Sequence, residues 1–148
     1  MKSLRNVVLF LFALAVPLGC WRPSPMGGIA ESHIRGNVPE RADFGPFMER
    51  DLGAYFGNLA SKPVRVTYEL LRDGPTQTGV GYPKFYLWVT VNEGSRTAQS
   101  GAVRVAAIEK KRFEVTHFLS VAEIRTNPEA VYTVFPRPVG DKIRAKSK

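Results

Sequence analysis

Cysteine is almost missing from this chain: Cys20 is the only one in 148 residues. No internal disulfide can form, so the fold has to hold itself together by its core. Histidine is nearly as scarce. His33 and His117 are the only two, far apart in sequence, and with a single thiol they leave a zinc site short of ligands. No Gly-rich phosphate loop precedes a helix, and no nucleophile elbow is present. Long hydrophobic runs are lacking too: Val7 to Val16 is ten residues, about half of the roughly 20 that a spanning helix needs. After Cys20 every apolar run is soon broken by a charge, a Gly or a Pro. Acidic residues are few, 13 against 21 Lys and Arg, for a formal charge of +8.

What is there begins at the N-terminus. Lys2 and Arg5 precede the apolar run, and Val16-Pro17-Leu18-Gly19-Cys20 follows it, the layout of a secretory signal peptide over residues 1–19. Cleavage has two candidate places, after Ala13-Leu14-Ala15 or immediately before Cys20. Leu18-Gly19-Cys20 resembles the lipobox of bacterial lipoproteins, with Pro17 and Leu18 as its departures from the usual pattern. The resemblance implies that Cys20 is the lipid attachment residue and that the protein is exported and anchored in the membrane through its acylated cysteine. Trp21 stands where Asp retains such proteins at the inner membrane of many diderm bacteria, which implies the outer membrane, facing the periplasm.

Without Lys2 and Arg5 the chain keeps 19 basic and 13 acidic residues, an excess of six. Four of these come from a basic C-terminal tail, 137–148, where Arg137, Lys142, Arg144, Lys146 and Lys148 face only Asp141. Such a tail suits anionic head groups or wall polymers better than nucleic acid, which an exported protein rarely meets. A solvated, frayed terminus is the favoured reading.

Residues 20–42 carry Pro23, Pro25, Gly27, Gly28, Gly36 and Pro39 with no sustained apolar period, and are expected to form a flexible tether in which His33 is solvated. An α+β domain is expected over 43–136. Asp43 as N-cap, Pro46 in the first turn and Met48, Leu52, Tyr55, Phe56 and Leu59 at spacings of three and four predict one helix. Gly53 and Gly57 weaken it, and suggest a close approach to a sheet. From Val64 the period changes to two. Four strands follow, with Val64 to Leu70, Phe85 to Val91, Val103 to Ala107 and Phe113 to Leu119 as their apolar positions, and Asn92 to Ser100 as a polar turn. Short connections favour an antiparallel meander covered on its apolar face by the helix. Ser120-Val121-Ala122-Glu123 has capping-box form, and Asn127-Pro128 repeats a helix start, which predicts short helices over 121–126 and 128–134, with a last amphipathic turn expected around Val139 and Ile143 before the basic end.

One helix followed by a four-stranded antiparallel sheet resembles the cystatin-like and NTF2-like α+β folds. The first resemblance implies a protease-inhibiting loop at Gln77-Thr78-Gly79-Val80-Gly81, although Gly79 stands where that family has Val, and ordinary turn chemistry accounts for these residues. The second implies a helix-sheet cavity. His117 falls on the core face in an unbroken alternation and could meet Tyr55 or Tyr68 there, but no carboxylate shares that face, so a buried neutral histidine is favoured over a catalytic base.

The outer face of the sheet is the remaining candidate. Tyr86 and Trp88 lie among Arg65 and Arg104, residue types enriched at interface hot spots. They are expected either to meet a second copy or an envelope protein, or to be buried by the helices after Ser120. The sequence therefore points to a membrane-tethered, non-enzymatic binding or assembly module with no cofactor and no metal. The alternatives are a small-ligand-binding or enzymatic NTF2-like domain and a cystatin-like inhibitor.

Overall fold

In the computed structural model, residues 25–148 are described, and the expected signal peptide and Cys20 lie outside them. Among the described residues the protein is α+β, with five α-helices, one short 3-10 turn and a four-stranded antiparallel sheet of order β1-β2-β3-β4. The helices are α1 (Pro25–Asn37), α2 (Arg41–Ala60), α3 (Val121–Thr126), α4 (Val131–Val134) and α5 (Arg137–Lys146). The strands are β1 (Arg65–Leu70), β2 (Lys84–Glu93), β3 (Arg96–Ile108) and β4 (Arg112–Ser120).

Two helices, not one, precede the sheet. Residues 25–37, expected to be unstructured, form α1, whose end is tied down by Asn37. Lys110 N–H donates to the Asn37 carbonyl at 2.8 Å and Glu109 N–H to its side-chain oxygen at 3.0 Å. Glu109 and Lys110 both have positive φ, 50° and 58°, the backbone of the tight β3–β4 turn. Asn37 thus satisfies the amides that this turn leaves without a ladder partner. α2 starts three residues earlier than Asp43 as N-cap implied, with Glu40 as N-cap and Asp43 inside the first turn. It ends on Ser61 in the left-handed conformation, whose N–H bonds the Asn58 carbonyl.

Met48, Leu52 and Phe56 of α2 share one core cluster with Phe85, Leu87, Val89, Val91, Val103, Val105, Ala107 and Phe113. Asp51 pins the helix to β4 by accepting the Phe113 N–H at 2.6 Å. Leu59, expected on this apolar face, is 59% exposed. Gly53 and Gly57 do not mark a close approach to the sheet. A Cβ at Gly53 would meet nothing within 4 Å, and one at Gly57 would come only to 3.4 Å from the Lys62 carbonyl.

The polar stretch from Asn92 to Ser100 is mostly strand. β2 runs through Glu93 and β3 starts at Arg96, so the turn is confined to Gly94, at φ 62°, and Ser95. The ends project as an exposed hairpin, where an alternating apolar signal is not required by burial.

A second core lies on the opposite sheet face. Leu71, Tyr86, Ala102, Ile124, Val131, Phe135, Val139 and Ile143 form it, with Trp88, Leu119 and Val134 packed against it. Ser120 and Glu123 make the expected reciprocal capping box at the start of α3. The tail beyond residue 136 belongs to this core: α5 buries Val139, Gly140 and Ile143 instead of fraying. Its charges are partly committed as well. Lys142 Nζ donates to the Leu71 carbonyl at 2.9 Å, Arg144 pairs with Glu129 at 3.1 Å, and Lys146 with Glu69 at 2.8 Å. Tyr132 clamps α5 to α4, its hydroxyl donating to Asp141 at 2.6 Å while its ring lies over Gly140.

Candidate functional site

The aromatic face, expected either to meet a partner or to be buried by the helices after Ser120, is largely roofed by α3 to α5. Tyr86 is 5% exposed, its ring 5.9 Å from that of Phe135 and its hydroxyl 2.6 Å from Thr76 Oγ1. A buried tyrosine with its hydroxyl satisfied has nothing left to offer a partner. Trp88 is half-buried under the rim of α5, with Lys146 Nζ 6.0 Å from its ring centre. Arg104 is used internally. It donates from Nε to Thr116 Oγ1 at 3.0 Å and from Nη1 to the Val134 carbonyl at 3.2 Å, and its Nη2 lies 2.6 Å from His117 Nδ1. Of the four, only Arg65 is exposed, and its side chain makes no hydrogen bond or ion pair with a described residue.

His117 is on this roofed face too, not in the core beneath α2. The β3–β4 register runs Val105 to Val115 but Arg104 to His117, so one extra residue of β4 is inserted at Thr116. A bulge of this kind reverses the facing of every side chain beyond it. Phe118 takes the core position, edge-on to Phe56 at 5.0 Å, and His117 turns out to solvent beside Arg104. Tyr55 and Tyr68 are therefore not its neighbours. Tyr55 stacks edge-on to Phe56 at 5.0 Å, while Tyr68 faces Glu49 at the sheet margin, where burial and then that carboxylate's charge raise its pKa.

Because the guanidinium can only donate, His117 Nδ1 must accept, which requires the neutral ring. Burial, then the Arg104 charge, holds the His117 pKa below the ordinary imidazole value. The unfolded chain consequently takes up its proton first, so this residue's stabilisation is complete above pH about 6.5 and is lost as pH falls below it, levelling off under the folded-state pKa. Urea midpoints between pH 7.5 and 5.5 should fall further for the native chain than for His117→Gln, whose amide oxygen can still accept from Arg104. Parallel pH profiles would refute this role.

Residues 77–81 fold on themselves. Gln77 Nε2 donates to the carbonyls of Gly79, at 3.1 Å, and Gly81, so the side chain closes its own loop. No group of three or more potential metal ligands occurs among the described residues.

The feature that the sequence reading passed over is the open edge of the sheet. Among the described residues β1 is paired only with β2, and Leu71 N–H donates to the Tyr86 carbonyl at 2.9 Å. The antiparallel alternation then gives Arg65, Thr67 and Glu69 the bonds to β2 and turns the backbone groups of Val66, Tyr68 and Leu70 outward. No described residue bonds to them. Beside this edge lies an open groove of about 610 Å³ lined by Glu49, Gly53 and residues 64–68. The bare backbone at Gly53 widens it. Six edge residues with neither Gly nor Pro were a visible signal, but only the strand order shows which strand is outermost.

Comparison with protein-family models, with characterised proteins and with solved structures yields no match.

Proposed function

We propose that this chain is a non-enzymatic binding or assembly module of a bacterial envelope, anchored through an acylated Cys20 at the outer membrane, facing the periplasm. It takes its partner as an added strand on β1. The observation that carries the binding half is the row of outward-facing backbone groups at Val66, Tyr68 and Leu70 beside an open groove. Strand addition draws affinity from main-chain hydrogen bonds and specificity from alternate side chains, and this edge offers both. The anchoring half rests on the apolar run before a lone cysteine. A helix against a four-stranded meander is also similar to cystatin-like and NTF2-like folds, which serve as binding and dimerisation modules as readily as they serve as enzymes.

Two measurements test the two halves. The full chain expressed in a diderm bacterium should incorporate a fatty-acid label and sediment with outer membranes, and Cys20→Ser should abolish the label. Label retained in Cys20→Ser would overturn the anchoring. A photo-crosslinker at Thr67 should give a discrete adduct that Val66→Pro removes, since proline is tolerated where an edge N–H faces solvent yet denies that donor to an added strand. An adduct indifferent to Val66→Pro would overturn strand addition.

A further inference from the structure

We propose that the strand added to β1 is β1 of a second copy, paired antiparallel about a two-fold axis at Thr67. The inference rests on the binding reading above and names its partner. Along β1 the outward groups are those of Val66, Tyr68 and Leu70, bonded by no described residue, so a second β1 must use the same set, and the symmetric registers are few. With Thr67 opposite Thr67, Arg65 stands opposite Glu69 of the second copy and Glu69 opposite its Arg65. On the other face Val66 meets Tyr68 and Val64 meets Leu70. Every pair is then of a favourable kind: opposite charges, Thr on Thr, β-branched on aromatic, and apolar on apolar.

Sliding the strands by one step in either direction destroys this match. With Tyr68 opposite Tyr68, Arg65 faces the buried Leu71; with Val66 opposite Val66, Glu69 faces Pro63. The charges thus select one register as well as a partner. Both are available for the purpose. Arg65 is exposed and has no partner among the described residues, while Glu69, 61% exposed at its side chain, gives only Oε2 to Lys146. Leu70, 39% exposed at the margin, would be covered by Val64 of the second copy. The groove between α2 and the edge supplies room for the incoming Tyr68. The two sheets would join into one, with both α2 helices on the same side.

Cysteine pairs and charge swaps in the full chain test this. Thr67→Cys sits on the axis at a non-hydrogen-bonded pair, with Cα atoms about 4.5 Å apart, within disulfide reach. Mild oxidation in intact envelopes should convert it to a dimer on a non-reducing gel. The native chain, with Cys20 alone, and Arg65→Cys alone should not give one, because two copies of position 65 lie about 14 Å apart. Co-expressed Arg65→Cys and Glu69→Cys should cross-link. Arg65→Glu and Glu69→Arg should each weaken self-association about tenfold or more. Their mixture should form heterodimers, and the double variant Arg65→Glu/Glu69→Arg should recover it. Absence of the Thr67→Cys dimer and of the heterodimer would overturn self-pairing. If Val66→Pro still removed the photo-adduct in that case, strand addition by another extended chain would survive; if it did not, both readings would fall together.

Discussion

Gly101→Ala should abolish or nearly abolish the cooperative fold, lowering stability by at least about 3 kcal/mol. Gly101 is buried in β3, opposite Val89 on one side and Ser120 on the other, where β4 turns sharply into α3. A Cβ there would fall on the Leu119 carbonyl oxygen, 2.7 Å from Phe118 Cε2 and 2.9 Å from Ser120 Cα. Two of the three obstacles are backbone, which cannot swing away as a side-chain tip can. The strand pair would have to part, releasing Phe118 from the first core and the α3 capping box from the second. Gly53→Ala provides the internal contrast. Open space surrounds that position, so removing a mid-helix glycine should raise stability by roughly 0.5 to 1 kcal/mol. Urea midpoints measured side by side check both, and an unchanged midpoint for Gly101→Ala would contradict the close approach.

Ile143→Asp should cost about 4 kcal/mol or more and expose the second sheet face. Ile143 has no exposed surface, although it sits in the most basic stretch of the chain. Its side chain belongs to the cluster that contains Tyr86 and Phe135, so an aspartate there would be a charge buried without a partner. Ala145→Asp, on the exposed side of the same helix, should by contrast change stability by no more than about 0.5 kcal/mol. A frayed terminus would make the two substitutions alike. Dye binding to exposed apolar surface, read with the urea midpoint, separates these outcomes.

The strands were legible because half-buried strands must alternate. Phe85, Leu87, Val89 and Val91, with Val103, Val105 and Ala107, face the first core as their spacing predicts. Ser120 and Glu123 announced the start of α3 for an equally local reason, since a capping box is satisfied within four residues. The facing of His117 could not be obtained in this way. Phe113, Val115, His117 and Leu119 continue an unbroken alternation, and only the pairing with β3 reveals the residue inserted at Thr116. Phe118 was the available hint: a large aromatic on the supposed polar side of a strand is out of phase. Leu71 gave a different hint at the end of β1: it continues the alternation on the face of Arg65, Thr67 and Glu69, and its apolar side chain belongs to the second core that covers that face.

Which of its two expected fates the aromatic face would meet was undecided for a related reason. Tyr86 and Trp88 have the composition of an interface, but composition does not distinguish a partner's surface from the chain's own helices. α3 to α5 supply that surface here, with the apolar positions Val139 and Ile143 of α5 buried within the most basic stretch of the chain. The sequence by itself determined the number and order of the four strands, the helix starts at Ser120 and Pro128, and the absence of an internal disulfide. It could do so because hydrophobic period, capping and thiol count are local properties. Tertiary structure alone decided that both sheet faces are covered, which side of β4 carries His117, and that β1 lies at an edge. Those are settled by pairing between residues far apart in the chain, where one inserted residue or one returning helix reverses what is buried and what is free to bind.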